Sequence, residues 1–176
     1  TRPPQRAVSR DEAHKAGAPP LREITGTRDG EGRRFAVVAS RFNSVVTDEL
    51  VGGALDALRE HGVADADVQV IRVPGAWELP GACQRVVERG ESDAVVALGC
   101  VIRGEPPHFE YVAEEASRGL GAVARSASVP VVFGVLTTDT LEQAMRRAGS
   151  REENKGWEVA LAALEMAGLY RELGER

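Results

Sequence analysis

From Phe35 onward, short runs of apolar and β-branched residues alternate with longer segments in which apolar residues recur at helical spacing. The short runs predict four strands, at residues 35–40, 68–73, 94–99 and 131–136. Each run is almost uninterrupted in apolar residues, which is typical of parallel strands that are covered on both faces. The alternation therefore predicts an α/β fold, a three-layer αβα sandwich with a central four-stranded parallel sheet.

The longer segments predict five helices. They cover residues 48–61, 77–89 and 109–127, a short helix after Thr140 that ends near Gly149, and a last helix from about Trp157 to Leu173. The first two stop at glycines, which commonly end helices. Thr140 and Gln143 have the spacing of a capping box, which marks a helix start. Small residues along one face of the third helix favour close helix packing, with a neighbouring subunit as one candidate partner.

Charge and composition exclude several classes of protein. Residues 1–34 carry a net charge of +3, and residues 35–176 carry −8. Because nucleic-acid binding needs clustered cations, the acidic body argues against nucleic acid as a partner. No apolar stretch approaches the roughly 20 residues that span a bilayer, so no membrane partner is expected. The two cysteines give neither a disulfide framework nor metal-ligand spacing, which favours a reducing cytoplasm.

The basic N-terminal segment differs from the rest of the chain. Residues 1–20 contain four prolines and few apolar residues, so we expect a flexible basic extension that buries too little surface to become ordered. Residues 21–176 are expected to form a single domain. At its start, residues 21–26 suggest a short strand that is added to the sheet of a neighbouring subunit.

Distinctive side chains follow each predicted strand. Ligands of open parallel sheets bind beyond the carboxyl ends of the strands, so these loops are the candidate site. The loops read Ser40-Arg41-Phe42-Asn43, Pro74-Gly75-Ala76-Trp77-Glu78, Cys100-Val101-Ile102-Arg103-Gly104 and Thr137-Thr138-Asp139. Phe42 and Trp77, together with Phe133 in the fourth strand, could sandwich a flat heterocycle. An equally weighted alternative is that these aromatic side chains anchor the loops in the core.

Four further residues could act on an anionic or reactive ligand. His108 lies at the predicted start of the third helix, where the helix dipole can keep its ring neutral and able to exchange a proton near pH 7. Gly104 precedes that helix start, a place where free backbone N–H groups bind anions. Arg147 and Lys155 flank the turn between the last two helices. For each of these side chains an ordinary surface or structural role is the alternative. Motifs for nucleotide, dinucleotide, zinc and serine-hydrolase sites are lacking, so neither a metal nor a cofactor is expected.

Six motifs resemble those of the lumazine synthase family, in the same order and with matching spacing over most of residues 24–169. They are Ser40-Arg41-Phe42-Asn43, Val73-Pro74-Gly75-Ala76-Trp77-Glu78-Leu79-Pro80, Ala97-Leu98-Gly99-Cys100-Val101-Ile102-Arg103-Gly104, His108-Phe109-Glu110-Tyr111-Val112, Gly134-Val135-Leu136-Thr137-Thr138-Asp139-Thr140, and Arg147-Ala148-Gly149 followed by Asn154-Lys155-Gly156. The resemblance implies a flavodoxin-like fold. It also implies condensation of 5-amino-6-(D-ribitylamino)uracil with 3,4-dihydroxy-2-butanone 4-phosphate to 6,7-dimethyl-8-ribityllumazine, with release of phosphate and water and without a cofactor.

The same resemblance implies a role for each candidate residue. Contacts to the ribitylaminouracil would come from Phe42 and Trp77 on the pyrimidine, from Asn43 and the backbone of Cys100, Val101 and Ile102, from Ala76 and Glu78 on the ribityl chain, and from Phe133 and Lys155. His108 would be the general acid and base. Arg147 would hold the phosphate, beside the loop formed by Gly104, Glu105 and Pro106. Phe133 and residues 147–155 would come from a neighbouring subunit, so a monomer should be nearly inactive.

One residue departs from the family pattern. Pro106 stands where family members commonly have a threonine, and proline offers the phosphate neither a hydroxyl nor a backbone N–H. Two interpretations follow: a working synthase with weaker phosphate binding, which we favour, or a catalytically weakened paralogue or engineered variant that binds a flavin or lumazine or forms a shell.

The family resemblance also implies self-association. It implies pentamers at least, and in some members a shell of 60 chains. The connection at residues 150–154 has the short length of shell-forming members, so we expect the shell. Glu152 and Glu153 within it could repel across pentamer contacts.

Overall fold

The computed structural model describes residues 20–104 and 108–174. Four parallel strands form one sheet in the order β2-β1-β3-β4. They are β1 (Phe35–Ser40), β2 (Val68–Val73), β3 (Ala94–Ile102) and β4 (Val131–Thr138). The predicted α/β fold with a parallel four-stranded sheet is confirmed.

Five helices cover the sheet. They are α1 (Ser44–Glu60), α2 (Leu79–Arg89), α3 (Phe109–Ser126), α4 (Leu141–Ala148) and α5 (Lys155–Glu172). Helices α1, α4 and α5 pack on one face, and α2 and α3 on the other. The central strand β3 shows why both faces need cover, because Val96 and Leu98 point into one core whereas Val95 and Ala97 point into the other.

The two cores consist mainly of aliphatic side chains. Leu50, Leu58 and Leu164 are fully buried in the core beneath α1 and α5. Leu79 and Leu120 have the same role beneath α2 and α3. Removing one such side chain from water contributes about 1.5–3 kcal/mol, so both faces of the sheet help to hold the strand ends in place.

Strands β3 and β4 extend beyond the ends that the sequence predicts. They pair with each other up to Ile102 opposite Thr138, and the N–H of Arg103 donates to the carbonyl of Thr138 at 2.8 Å. Gly99 does not stop β3. A Cβ atom at this position would lie 3.0 Å from the Leu79 side chain, so the glycine serves packing rather than a turn.

Two helix starts also differ from the prediction. Helix α1 begins at Ser44 instead of residue 48, because Asn43 adopts the left-handed conformation at its N-cap. The second helical segment begins with a 3₁₀ turn at Ala76–Glu78 before α2 proper. The capping box at Thr140 is confirmed, since its hydroxyl accepts from the N–H of Gln143 at 3.2 Å.

Residues 20–34 form no strand with the chain's own sheet, and from Gly26 to Arg33 this segment contacts α5. The approach is close: a Cβ at Gly26 would lie 1.8 Å from the carbonyl oxygen of Glu165, and one at Gly168 would lie 2.6 Å from that of Thr27. The predicted strand at residues 21–26, which needs a neighbouring subunit, therefore stays a prediction. So does the single domain over residues 21–176, and residues 1–19 of the expected extension lie outside the described residues. Within the described ranges no helix is long and apolar enough to cross a membrane.

Candidate active site

A cavity of about 330 Å³ opens at the carboxyl ends of the strands, where the sequence predicts the site. Its wall contains most of the predicted site residues: Phe42, Ala76, Trp77, Cys100, Val101, Ile102, Gly104 and His108. Gly75, Phe109 and Val112 complete it. The three loops that follow β1, β2 and β3 therefore converge on one space, as the strand order requires.

Backbone hydrogen bonds tie these loops together. The N–H groups of Arg41 and Phe42 donate to the carbonyls of Val73 and Pro74 at 2.8 and 3.0 Å. The loop after β1 is thereby fixed to the end of β2. Such bonds leave little freedom to the loop that carries Phe42.

Asn43 links the loop after β1 to the end of β3. Its side-chain Nδ2 donates to the carbonyl oxygen of Cys100 at 2.9 Å. The residue has a φ of 59°, a left-handed conformation that asparagine tolerates better than most residues. Asn43 therefore shapes the cavity wall, whether or not its amide also contacts a ligand.

The aromatic side chains at the cavity are exposed. Phe42 has 71% and Trp77 54% of its surface accessible to solvent. These values contradict the alternative that both rings anchor the loops in the core. Since two exposed aromatic side chains at one cavity are typical of a binding surface, the geometry favours the stacking role.

Glu78 supports the loop after β2. Its Oε2 accepts from the N–H of Gly75 at 2.9 Å and closes the 3₁₀ turn that carries Trp77. A Cβ atom at Gly75 would lie 3.3 Å from the same oxygen, a tight contact that a small shift of the Glu78 side chain would have to relieve. One carboxylate oxygen of Glu78 thus holds the protein's own backbone.

His108 is the N-cap residue of α3, as the sequence predicts, and its ring is at the cavity wall. Its carbonyl accepts from the N–H of Val112 at 3.2 Å, so the backbone of His108 belongs to the first helical turn. The residue is exposed to solvent. The neighbouring Glu105 and Pro106 lie outside the described residues.

Cys100 contributes backbone rather than thiol chemistry to the site. Burial raises the pKa of its thiol to about 11, and that of Cys83 to about 12. Both groups therefore remain thiols near neutral pH, and a thiol is a poor nucleophile compared with its thiolate. Within residues 20–104 and 108–174, no three His, Cys, Asp or Glu side chains are grouped as ligands for a metal ion.

Five of the described site residues that the sequence predicts do not line this cavity. Asn43 and Glu78 support its loops, whereas Phe133, Arg147 and Lys155 belong to other parts of the fold. Phe133 is on β4 opposite Ala97, and 42% of its surface is exposed. Arg147 is in the last turn of α4, and Lys155 begins α5. Within one chain Phe133, Arg147 and Lys155 therefore lie outside the cavity that His108 lines.

Sequence reasoning missed Glu158, which contacts both separated cations. Its Oε1 accepts from Lys155 Nζ at 2.7 Å, and its Oε2 pairs with Arg147 Nη2 at 3.3 Å. The hydrogen bond from Lys155 is the main reason that the pKa of Glu158 is lowered. The spacing of Lys155 and Glu158 on one helix could have indicated their pairing. No sequence spacing indicates the contact to Arg147, because that residue is on another helix.

A second missed contact connects the loops after β3 and β4. Arg103 Nε donates to Asp139 Oδ1 at 2.8 Å, and the guanidinium carbon is 4.9 Å from the centre of the Phe109 ring. Phe109 in turn lines the cavity. Arg103 thus joins the cavity wall to the loop that leads to α4.

Comparison with known proteins places these features in one family. Residues 32–171 match the family model described as 6,7-dimethyl-8-ribityllumazine synthase. A protein of that name from Desulfatibacillum aliphaticivorans is 51% identical over 148 residues, which are 84% of this chain and 96% of the relative. Another from Aquifex aeolicus is 49% identical over 148 residues, with the same coverage of both chains. The matched range includes the whole sheet and the cavity wall, and the chain therefore belongs to the 6,7-dimethyl-8-ribityllumazine synthase family.

Proposed function

We propose that the cavity at the strand ends is where this chain carries out its family's reaction, a transferase step of riboflavin biosynthesis. In this reaction 5-amino-6-(D-ribitylamino)uracil condenses with 3,4-dihydroxy-2-butanone 4-phosphate to 6,7-dimethyl-8-ribityllumazine, and phosphate and water are released. The observation that carries the proposal is the convergence of Phe42, Trp77 and His108 on one open cavity in a chain of this family. The alternative of a weakened, merely binding or shell-forming paralogue is not favoured.

The cavity suits the flat pyrimidine. Phe42 and Trp77 offer exposed rings on which it can stack, and such contacts orient a heterocycle without fixing its hydrogen bonds. Polar contacts would come from Asn43 and from the backbone of Cys100, Val101 and Ile102 at the end of β3. Ala76 and the carboxylate of Glu78 would bind the hydroxyls of the ribityl chain.

His108 is the proposed proton-transfer group. When the amine of the pyrimidine attacks the ketone, the carbonyl oxygen must gain protons before it can leave as water. Elimination of phosphate then requires removal of a proton from a neighbouring carbon. A single imidazole at the cavity wall can give the first proton and accept the second, since histidine is the side chain that most often serves as general acid and base.

The phosphate end of the site would lie at Gly104 and the two following residues, Glu105 and Pro106. Because Pro106 offers no donor, Arg147 carries more of the phosphate binding in this chain than a threonine-containing loop would require. Arginine suits this role, since its planar guanidinium can donate two parallel hydrogen bonds to phosphate oxygens.

The site is proposed to be complete only between two copies of the chain. The separation of Phe133, Arg147 and Lys155 from the cavity supports this, as do the exposed rings at its open side. Each chain would therefore provide one cavity and one α4–α5 corner, the place where Arg147 at the end of α4 lies near Lys155 at the start of α5. We further propose pentamers, assembly into a 60-subunit shell, and the strand at residues 21–26 added to the open edge of a neighbour's β2.

The proposed location is the cytoplasm. Cys83 and Cys100 are free, buried cysteines, which suit a reducing compartment. The proposed partners are the two small substrates and further copies of the chain.

The direct test mixes the purified protein with both substrates and follows the absorbance of the lumazine product. The amine and ketone react slowly without enzyme, so the same mixture without protein sets the baseline. We expect formation well above that baseline, because alignment of two reactive groups alone can be worth an effective molarity of about 10⁵ M or more. Binding of the product without any turnover would contradict the proposal and support the binding-module alternative.

A further inference from the structure

Glu158 joins two cations that belong to different helices. Lys155 Nζ donates to its Oε1 at 2.7 Å, and Arg147 Nη2 lies 3.3 Å from its Oε2. A third contact is longer, from Arg147 Nη1 to the carbonyl oxygen of Glu153 at 3.4 Å. The carboxylate of Glu158 therefore fixes the position of the Arg147 guanidinium relative to the Lys155 ammonium.

This arrangement differs from the ordinary surface ion pairs of the molecule. Glu142 and Arg146, on the same α4 helix as Arg147, are 3.8 Å apart and both largely exposed, and such pairs contribute little to stability. Glu158 instead divides its two oxygens between two cations. Only 25% of the Lys155 side chain is exposed, so its ammonium has fewer alternative positions in solvent.

The charges of the three groups also suit binding of an anion. Arg147 and Lys155 would repel each other without an anion between them, whereas the cluster with Glu158 keeps a net charge of +1. Glu158 itself lies in the first turn of α5, where the helix dipole favours a carboxylate. The cluster can thus hold its shape in the free protein and still attract a phosphate.

We propose that Glu158 is a positioning residue that holds Arg147 and Lys155 in the geometry needed for the two substrates. The inference rests on the proposed function, in which Arg147 binds the phosphate and Lys155 the pyrimidine. Arginine and lysine each have several freely rotating bonds, and ordering them on binding costs affinity. Glu158 orders both side chains before either substrate arrives, and it does so within one chain.

The test measures the KM of each substrate separately for Glu158→Ala and Glu158→Gln in the full chain. In Glu158→Ala both KM values should rise about threefold to tenfold, the range expected for loss of one ordinary hydrogen bond, because the ion pairs of Glu158 are partly exposed to solvent. The value of kcat should change less than about twofold. Arg147→Ala should raise chiefly the KM of the phosphate substrate, and Lys155→Ala chiefly that of the ribitylaminouracil. A residue that acts through only one of the two cations would raise the KM of only one substrate.

Double variants separate positioning from a general structural effect. Adding Glu158→Ala to Arg147→Ala should raise only the KM of the ribitylaminouracil, because the cation that Glu158 positions for phosphate is already gone. Glu158→Asp should recover part of the loss. Glu142→Ala is the matched control, since it removes a carboxylate that lies on the same helix as Arg147 but pairs with Arg146, and both its KM values should equal those of the unmodified chain.

Defined results would overturn the proposal. The first is that Glu158→Ala leaves the KM values of both substrates unchanged, or lowers kcat alone. The second is that adding Glu158→Ala to Arg147→Ala raises the KM of the phosphate substrate as much as Glu158→Ala does by itself. Sedimentation checks that each variant assembles as the unmodified chain does, and if Glu158→Ala fails this check, Glu158→Gln decides the question. If the unmodified chain makes no lumazine, the proposed function fails. The positioning role is then judged by calorimetric binding of 6,7-dimethyl-8-ribityllumazine and inorganic phosphate, which should both weaken in Glu158→Ala.

Discussion

The two halves of the proposed site, the cavity and the α4–α5 corner, are held by different forces. The cavity wall rests on buried strands and on internal hydrogen bonds, such as that from Asn43 to the Cys100 carbonyl. The corner presents Arg147 and Lys155 through ion pairs at an exposed carboxylate, Glu158. The first half is thus built into the core, whereas the second depends on charged side chains that salt can screen. The proposed site therefore has one half whose geometry depends on the packed core and another half that depends on ion pairs.

The cavity half should fail most severely when its proton-transfer group is removed. His108→Ala is expected to lower kcat by roughly one to three orders of magnitude, because acid–base catalysis is lost while the alignment of the two substrates remains. The measurement is the initial rate of lumazine formation at saturating substrates. Unchanged turnover would remove His108 from the mechanism.

Loss of a cation from the α4–α5 corner should raise KM rather than lower kcat. Arg147→Ala is expected to raise the KM of the phosphate substrate about tenfold to a hundredfold, which corresponds to loss of a charge-assisted hydrogen-bonded contact. The KM of the ribitylaminouracil should change far less. Arg146→Ala, one residue away on α4, is the matched control and should leave both values unchanged.

One substitution should strengthen phosphate binding instead of weakening it. Pro106→Thr restores a hydroxyl and an N–H beside the phosphate, so the KM of the phosphate substrate should fall a few fold, on the order of one recovered hydrogen bond. Steady-state kinetics at varied phosphate substrate gives the answer. An unchanged or higher KM would show that Arg147 and the backbone already compensate.

The smallest expected effect concerns assembly. Arg151 pairs with Glu60 and lies 3.8 Å over the Trp157 ring, and these contacts within its own chain compete with any pairing to a neighbour's Glu152 or Glu153. Raising ionic strength should therefore modestly stabilise the proposed 60-chain shell by screening the repulsion between these carboxylates. Light scattering at several salt concentrations measures this. A species near five chains under every condition would contradict the shell.

Much of the cavity half is predictable from the sequence because local rules determine it. Uninterrupted apolar runs place the strands, and the loops after them must share one edge of a parallel sheet. The ends of β3 and β4 were missed because they depend on pairing between the two strands, up to Ile102 opposite Thr138. The strand ends predicted at Gly99 and Leu136 were wrong for this reason.

The corner half is less predictable. The helix that carries Lys155 follows from its periodicity, but the second partner of Glu158 is Arg147, 11 residues earlier on another helix. Only the packing of α4 and α5 brings these groups together. Ion pairs between helices depend on tertiary geometry, which no spacing along the chain reveals.

Mixed assemblies can test directly whether the cavity and the α4–α5 corner of one site come from two chains. His108→Ala and Arg147→Ala chains are each assembled alone and then refolded together in equal amounts. Lumazine formation is measured with the phosphate substrate well below its KM for the unmodified protein, where the Arg147→Ala chain alone is nearly inactive. In a random mixture about a quarter of the interfaces unite an intact cavity with an intact corner, so the mixture should regain roughly a quarter of the activity of the unmodified protein. Activity no greater than the average of the two variants measured alone would contradict the account, since it would place His108 and Arg147 of each site in the same chain.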